Sequence, residues 1–99
     1  MSTGDADRAD EVVHDTERSR YELLVDGEPG AFAEYVLRGN TITFTHTVTE
    51  PARRGQGHAA IVVRRALDDA RAANLSVVAQ CWYVAQFIDL HPEYADLVR

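Results

Sequence analysis

Residues 41–73 read TITFTHTVTEPARRGQGHAAIVVRRALDDARAA, and within them the spacing of apolar residues changes once. Over 41–48 the chain alternates, with Ile42, Phe44, His46 and Val48 on one face and Thr41, Thr43, Thr45 and Thr47 on the other. A period of two is the pattern of a half-buried β-strand. From Ala59 the apolar positions are Ala59, Val62, Val63, Ala66, Leu67, Ala70 and Ala73, a helical stripe, while Arg64, Arg65, Asp68, Asp69 and Arg71 fall on the opposite face. This predicts a helix roughly 25 Å long at about 1.5 Å per residue, ended by Asn74. Pro51 and the run Gly55-Gln56-Gly57 lie between the two patterns, so a strand feeds a helix through a glycine loop.

Upstream, residues 21–25 and 31–37 read as two strands joined by the turn Asp26-Gly27-Glu28-Pro29-Gly30, and Arg38-Gly39-Asn40 turns the second into the strand at 41–48. Three antiparallel strands in a meander result. Downstream, Leu75-Ser76-Val77-Val78-Ala79-Gln80 supplies a fourth strand leading into Cys81. A short helix over 84–90 stops near His91-Pro92, and a last turn covers 93–98. A strand, helix, strand passage after a meander calls for a right-handed crossover, which sets the fourth strand parallel to the third and lays the long helix over one sheet face. The predicted class is α+β, with one mixed, mostly antiparallel sheet. Residues 1–18 show no apolar periodicity beyond Val12-Val13 and are expected to form a disordered acidic leader containing His14, leaving 19–99 as the folded domain.

A chain of 99 residues has room for one core. Its 45% apolar and 26% charged residues are ordinary globular usage. No stretch approaches the roughly 20 apolar residues of a membrane span, and the acidic start does not read as a signal peptide, so a cytoplasmic protein without membrane partners is expected. Cys81 is the single cysteine, which excludes an internal disulfide and a cysteine-rich zinc site, and the four histidines are too scattered for a metal centre. The net charge of -6 belongs to residues 1–30, where nine acids face three arginines, whereas residues 31–99 balance seven against seven. Within 51–71, five arginines meet only Asp68 and Asp69, a local excess that would draw an anion. The chain contains no lysine and no broad basic footprint, which argues against nucleic acid.

The charge excess coincides with Arg53-Arg54-Gly55-Gln56-Gly57-His58-Ala59, where glycines allow a ligand close approach and the first helical turn leaves N–H groups unpaired. Such a junction is an anion site, although the same glycines also suit a plain loop. No Gly-Lys-Ser/Thr follows and the Gly-x-Gly-x-x-Gly pattern is missing, so neither a Walker loop nor a dinucleotide fingerprint is present. The run from Arg54 to Ala59 resembles the Arg/Gln-x-x-Gly-x-Gly/Ala signature of the GNAT superfamily of N-acetyltransferases. The resemblance is closer to a subfamily of short GNAT-like proteins, through His46-Thr47, the glycine loop, Cys81 directly after the strand, and His91-Pro92-Glu93-Tyr94 followed by Leu97-Val98.

That resemblance implies a minimal GNAT-like fold binding acetyl-CoA. The amides of Arg54, Gly55, Gln56, Gly57, His58 and Ala59 would hold the pyrophosphate of coenzyme A, and Thr47, Val48 and Thr49 the pantetheine arm. His58 departs from the apolar residue usual in this loop; its ring could touch phosphate or simply face solvent, and the second is the reading preferred. The chain lacks the flanking helices and strands with which longer GNAT enzymes build an acceptor pocket, so the amine acceptor is left unidentified, and a monomer or weak dimer is expected.

Cys81, at a strand-to-helix junction, reads either as a thiolate that carries the acyl group or as a small buried hydrophobe. His46 reads either as a core histidine on its apolar face or as the base that deprotonates the acceptor, or Cys81 if the two meet. His91 belongs to the Pro92 turn; Trp82, Tyr83, Phe87 and Tyr94 are packing residues, with Trp82 or Tyr83 able to lie along the pantetheine arm. The predicted function is acetyl-CoA-dependent N-acetyl transfer to an amine. Its alternatives are a non-catalytic CoA-binding module and, more remotely, an adaptor using Arg53, Arg54, Arg64 and Arg65.

Overall fold

The computed structural model describes residues 10–50 and 57–98. Five strands form one sheet in sequence order: β1 (Asp10–Asp15), β2 (Arg20–Val25), β3 (Glu28–Arg38), β4 (Thr41–Thr49) and β5 (Ser76–Ala79). The first four pair antiparallel and β5 joins β4 in parallel, as the strand, helix, strand passage requires. Helix α1 (His58–Ala72) makes the connection, α2 (Trp82–Leu90) follows β5, and a 3-10 segment (Pro92–Leu97) closes the described chain.

The hairpin between β2 and β3 is tight because Asp26 and Gly27 both take positive φ, 53° and 84°. Only Gly, Asn and Asp enter that region readily, and a two-residue turn of this hand matches the twist of the strands it joins. Helix α1 stops on a Schellman motif. Asn74 is left-handed at φ 58°, its N–H donates to Arg71 O, and Leu75 N–H donates to Ala70 O at 2.9 Å.

Phe44, Leu23, Leu67, Val62, Val63, Val77 and Val84 have lost essentially all contact with solvent. They form one layer of side chains between the inward sheet face and the helices, and each such burial contributes about 1.5–3 kcal/mol. The 3-10 segment is tied to α1 by polar contacts: Tyr94 Oη donates to Asp68 Oδ1 at 2.6 Å, and Arg71 grips Asp96 through two nitrogens at 2.9 and 3.0 Å. Val98 then bridges Val77 in parallel. Among the described residues, no helix is long and apolar enough to cross a membrane.

The expected leader is corrected from Asp10 onward. Residues 10–15 form β1, in register with β2 from Asp10 opposite Val25 to Asp15 opposite Arg20. Val12 packs against the core, and the His14 ring stacks on Tyr21 with centroids 4.0 Å apart while its Nε2 lies 2.6 Å from Tyr35 Oη. A strand of six residues at a sheet edge has too little apolar content to announce itself, and its stability comes from pairing with β2 and from that aromatic contact. Residues 1–9 lie outside those described.

The phase of β4 is also corrected. Glu34 stands opposite His46, yet Tyr35 stands opposite Phe44, so Thr45 is an extra residue in β4. This bulge reverses the faces. Ile42 and Phe44 point into the core; beyond the bulge His46 and Val48 point outward, and Thr47 and Thr49 take the inward positions opposite Ala33 and Ala31. His46 and Val48 therefore do not continue the apolar face of Ile42 and Phe44.

Phe44 is almost fully buried and meets Tyr35 edge-on, with ring centroids 6.3 Å apart. Phe44→Ala is expected to lower unfolding stability by about 3–5 kcal/mol in urea titrations, with an unchanged denaturant slope.

Candidate functional site

The bulge determines where β4 and β5 part. Their pairing runs from Thr41 opposite Ser76 to Phe44 opposite Ala79, and the last rung is the Cys81 N–H, which donates to Phe44 O at 2.9 Å. Among the described residues, no strand pairs with β4 on this side beyond that point. The opening is a cleft of about 370 Å³ lined by Thr47, Val48, Thr49, Ala59, Trp82 and Tyr83. Thr47, Val48 and Thr49, expected along the pantetheine arm, thus share one cavity with Ala59, expected at the loop. Trp82 and Tyr83 come from the first turn of α2 and stand edge to face at 5.8 Å. Trp82 is 73% exposed, unusual for so large a ring.

Helix α1 presents its N-terminus to the same region. Gly57, at its start, has φ 76° and ψ 14°; among the described residues no side chain caps the helix, and its first turn holds no acid. The first-turn amides therefore stay available to an anion. A Cβ built on Gly57 would meet nothing within 4 Å, so the space beside this peptide is open. Arg54, Gly55 and Gln56, expected to contribute further amides, lie outside the described residues.

His58 differs from expectation. It is 6% exposed, buried on the same helix face as Val62 and Ala66, and its Nδ1 has no hydrogen-bond partner. The reason is helical phase, since position 58 lies four residues before Val62, one turn back along the buried stripe.

Cys81 is buried at the start of α2, and its Sγ lies 3.5 Å from Thr47 Oγ1. Burial raises its thiol pKa, but hydrogen bonding from the Thr47 hydroxyl and from the Val84, Tyr83 and Thr47 amides outweighs that, so the net displacement is below the ordinary thiol value. No side-chain bond of ordinary length caps α2 through Cys81, so these amides act at longer range, together with the helix dipole.

His46 lies elsewhere. Because Thr47 faces Cys81, its neighbour His46 projects from the other side of the sheet, and the two expected catalytic residues are not brought together. The His46 side chain is 71% exposed, with Nδ1 3.7 Å from Glu34 Oε1, while Arg20 Nη2 donates to Glu34 Oε2 at 3.0 Å. This Arg20, Glu34, His46 row follows the strand register and carried no signal in the sequence. A groove of about 240 Å³ on that uncovered face, bounded by Glu22, Phe32 and Glu50 among others, shares Val48 with the cleft. Among the described residues, no group of three or more His, Cys, Asp or Glu is placed to hold a metal ion.

A profile of the GCN5-related N-acetyl-transferase family matches residues 20–97. A search of curated proteins finds no significant match. Among solved structures, a GCN5-like protein from Staphylococcus aureus superposes with a TM-score of 0.66 at 19% identity, covering 90% of this chain and 87% of its own. The ribosomal-protein-S18-alanine N-acetyltransferase from Escherichia coli superposes with a TM-score of 0.61 at 14% identity, covering 92% of this chain and 59% of that one. At these identities the superpositions establish the fold, and the profile establishes the lineage: the chain belongs to the GCN5-related N-acetyltransferase family and is an acyltransferase domain.

Proposed function

We propose that this domain transfers the acetyl group of acetyl-CoA to an amine, with the diphosphate at the start of α1 and the pantetheine arm in the cleft. The observation that carries this reading is the convergence of the cleft between β4 and α2 with the uncapped, acid-free N-terminus of α1 at Ala59. An anionic headgroup followed by a slender amide-bearing arm fits that pairing of open amides and a narrow cavity. Arg54, Gly55, Gln56, Gly57, His58 and Ala59 are assigned to the diphosphate, and Thr47, Val48 and Thr49 to the arm.

The acceptor approaches across the uncovered sheet face, where Val48 joins the groove to the cleft. His46, whose Nδ1 lies 3.2 Å from Thr45 Oγ1 with Glu34 close by, takes the proton from the acceptor ammonium; the free amine attacks the thioester carbonyl, the carbon–sulfur bond breaks, and the departing CoA thiolate collects a proton. A second route is favoured by the lowered Cys81 pKa. In it the Cys81 thiolate displaces CoA, holds the acetyl group as a thioester and passes it to the amine, regenerating the thiolate. A lone thiol suits the reducing cytoplasm, where the domain is placed by this reading.

CoA and acetyl-CoA are expected to raise the melting temperature and ATP to raise it less, because a ligand bound only by the native state stabilises it. No shift with CoA would refute the reading. Gly57→Val is expected to cost about 1–2 kcal/mol of stability through its left-handed backbone and to abolish the CoA shift, while circular dichroism shows the fold retained. His46→Gln is expected to lower kcat about 10- to 100-fold with CoA affinity intact, as judged by steady-state kinetics.

The folded-state Cys81 thiol is displaced downward, so its thiolate is populated at lower pH than in the unfolded chain. The associated stabilisation is complete above the unfolded thiol pKa and is lost as pH falls through the folded one. The rate of alkylation by iodoacetamide is therefore expected to reach half its plateau at a lower pH in native than in urea-unfolded protein, and Thr47→Val is expected to move the native midpoint upward. Intact-mass measurement with acetyl-CoA and no amine separates the routes, since an acetyl adduct lost in Cys81→Ala marks the covalent one.

A further inference from the structure

Strand register sets the outward residues of the uncovered face in rows. Arg20, Glu34 and His46 stand abreast, and two residues along come Glu22, Phe32 and Val48. Glu50 lies one row further, where its N–H donates to Gly30 O at 2.8 Å. Rows two residues apart are separated by about 7 Å along a strand, so His46 and Glu50 are the ends of a track roughly 13 Å long with the Phe32 ring and the Val48 side chain at its middle. The groove of about 240 Å³ takes in Arg20, Glu22, Phe32, Val48 and Glu50, and it joins the cleft at Val48.

The charges along this track do not cancel. The Arg20 guanidinium is already committed: it lies over the Phe32 ring at 4.2 Å and donates to Glu34 Oε2 at 3.0 Å, and its other terminal nitrogen comes no nearer to Glu22 Oε2 than 4.0 Å. Glu22, with a side chain 20% exposed, is thus a carboxylate partly withdrawn from water and weakly compensated. Glu50 pairs with no cation among the described residues. The groove therefore has an apolar floor, a proton acceptor in the row beyond one end, and two carboxylates in need of positive charge toward the other.

We infer that the acceptor is an aliphatic diamine: one nitrogen enters at Val48 on the His46 side, the methylene stem lies on Phe32 and Val48, and the second nitrogen, still protonated, is held by Glu22 and Glu50. This rests on the acyl-transfer reading above and names the class of amine. The span from the His46 row to these carboxylates is one to two rows, the reach of an extended chain of a few methylenes. Aliphatic amines have a pKa of about 10.4, as in lysine, so both ends arrive as ammonium. The nitrogen on the His46 side gives up its proton and attacks the thioester carbonyl. A carbon–nitrogen bond forms, the carbon–sulfur bond breaks, and CoA leaves as the thiol after taking a proton. The distal ammonium takes no part in the chemistry. The product carries one charge instead of two, and to react again it would have to turn round and set its neutral amide against the carboxylates. The groove thereby favours the first acetylation over the second.

Steady-state kinetics of the full chain with acetyl-CoA compare putrescine, butylamine and γ-aminobutyrate, amines of matched length whose far ends are cationic, apolar and anionic. Their kcat/KM is expected to fall in that order, putrescine exceeding butylamine about 3- to 10-fold on the scale of two exposed charge pairs, with the advantage shrinking in high salt. Mass spectrometry is expected to find the monoacetyl product of putrescine accumulating ahead of any diacetyl product. Glu22→Gln and Glu50→Gln are each expected to lower the ratio of putrescine to butylamine, and Glu50→Arg to lower it further. Without turnover, putrescine is expected to raise the melting temperature of the CoA-saturated protein more than butylamine does, and Glu50→Gln to shrink that difference. Equal kcat/KM for the three amines, or a ratio that neither glutamate variant moves, overturns the inference and leaves acyl transfer standing. Strong preference for a basic peptide over putrescine overturns it as well, giving the groove to a macromolecular acceptor. If none of the amines is acetylated while CoA still raises the melting temperature, the diamine falls alone; if CoA gives no shift, the acyl-CoA reading fails and takes this inference with it.

Discussion

One surplus residue in β4 shapes the site. With Thr45 inserted opposite the junction of Glu34 and Tyr35, the strand changes face: threonines enter the interior where Ile42 and Phe44 had been, and His46 and Val48 turn outward. A bulged strand also bends, and β4 stops pairing with β5 after Phe44. Without the insertion Thr47 would fall on the opposite face and would no longer meet Cys81. The hydrogen bond from Cys81 N–H to Phe44 O marks the last point at which the two strands act as a sheet.

The remaining parts of the site are ends rather than middles. The first turn of α1, the first turn of α2 and the edge of β4 all carry backbone groups that regular structure leaves unsatisfied, and they meet around one cavity. A ligand that brings a negative group for a helix end and amides for a strand edge completes all three. The stable part of the molecule, the layer around Phe44, Leu67 and Val77, holds those ends apart and in position.

The order of elements could be read from spacing because each signal was local: alternation for β4, a helical stripe for α1, Gly27 and Gly39 for turns, Asn74 for the helix stop. The family resemblance rested on the same local runs. What escaped was set between strands. Threonine at 41, 43, 45, 47 and 49 gives a flawless alternation that hides a change of phase, and a histidine on an apolar face was its one symptom. The pairing of Glu34 with both Arg20 and His46 depends on register alone. β1 passed for leader because an edge strand needs few apolar residues of its own. The burial of His58 is legible in the spacing, since it lies one turn before Val62 on the same stripe.

Among the described residues the helices cover one side of the sheet, and the other side is mixed in character. Across β2, β3 and β4 the outward positions carry Glu22 and Arg20, then Phe32 and Glu34, then Val48 and His46, with Arg20 lying over the Phe32 ring at 4.2 Å. At this end of the face a charged side chain stands beside each of these apolar ones, whereas further along the outward row is Val36, Thr43 and Val78. The mouth shared through Val48 thus opens onto a stretch of sheet where guanidinium, carboxylate and ring alternate, a surface that suits a small polar guest.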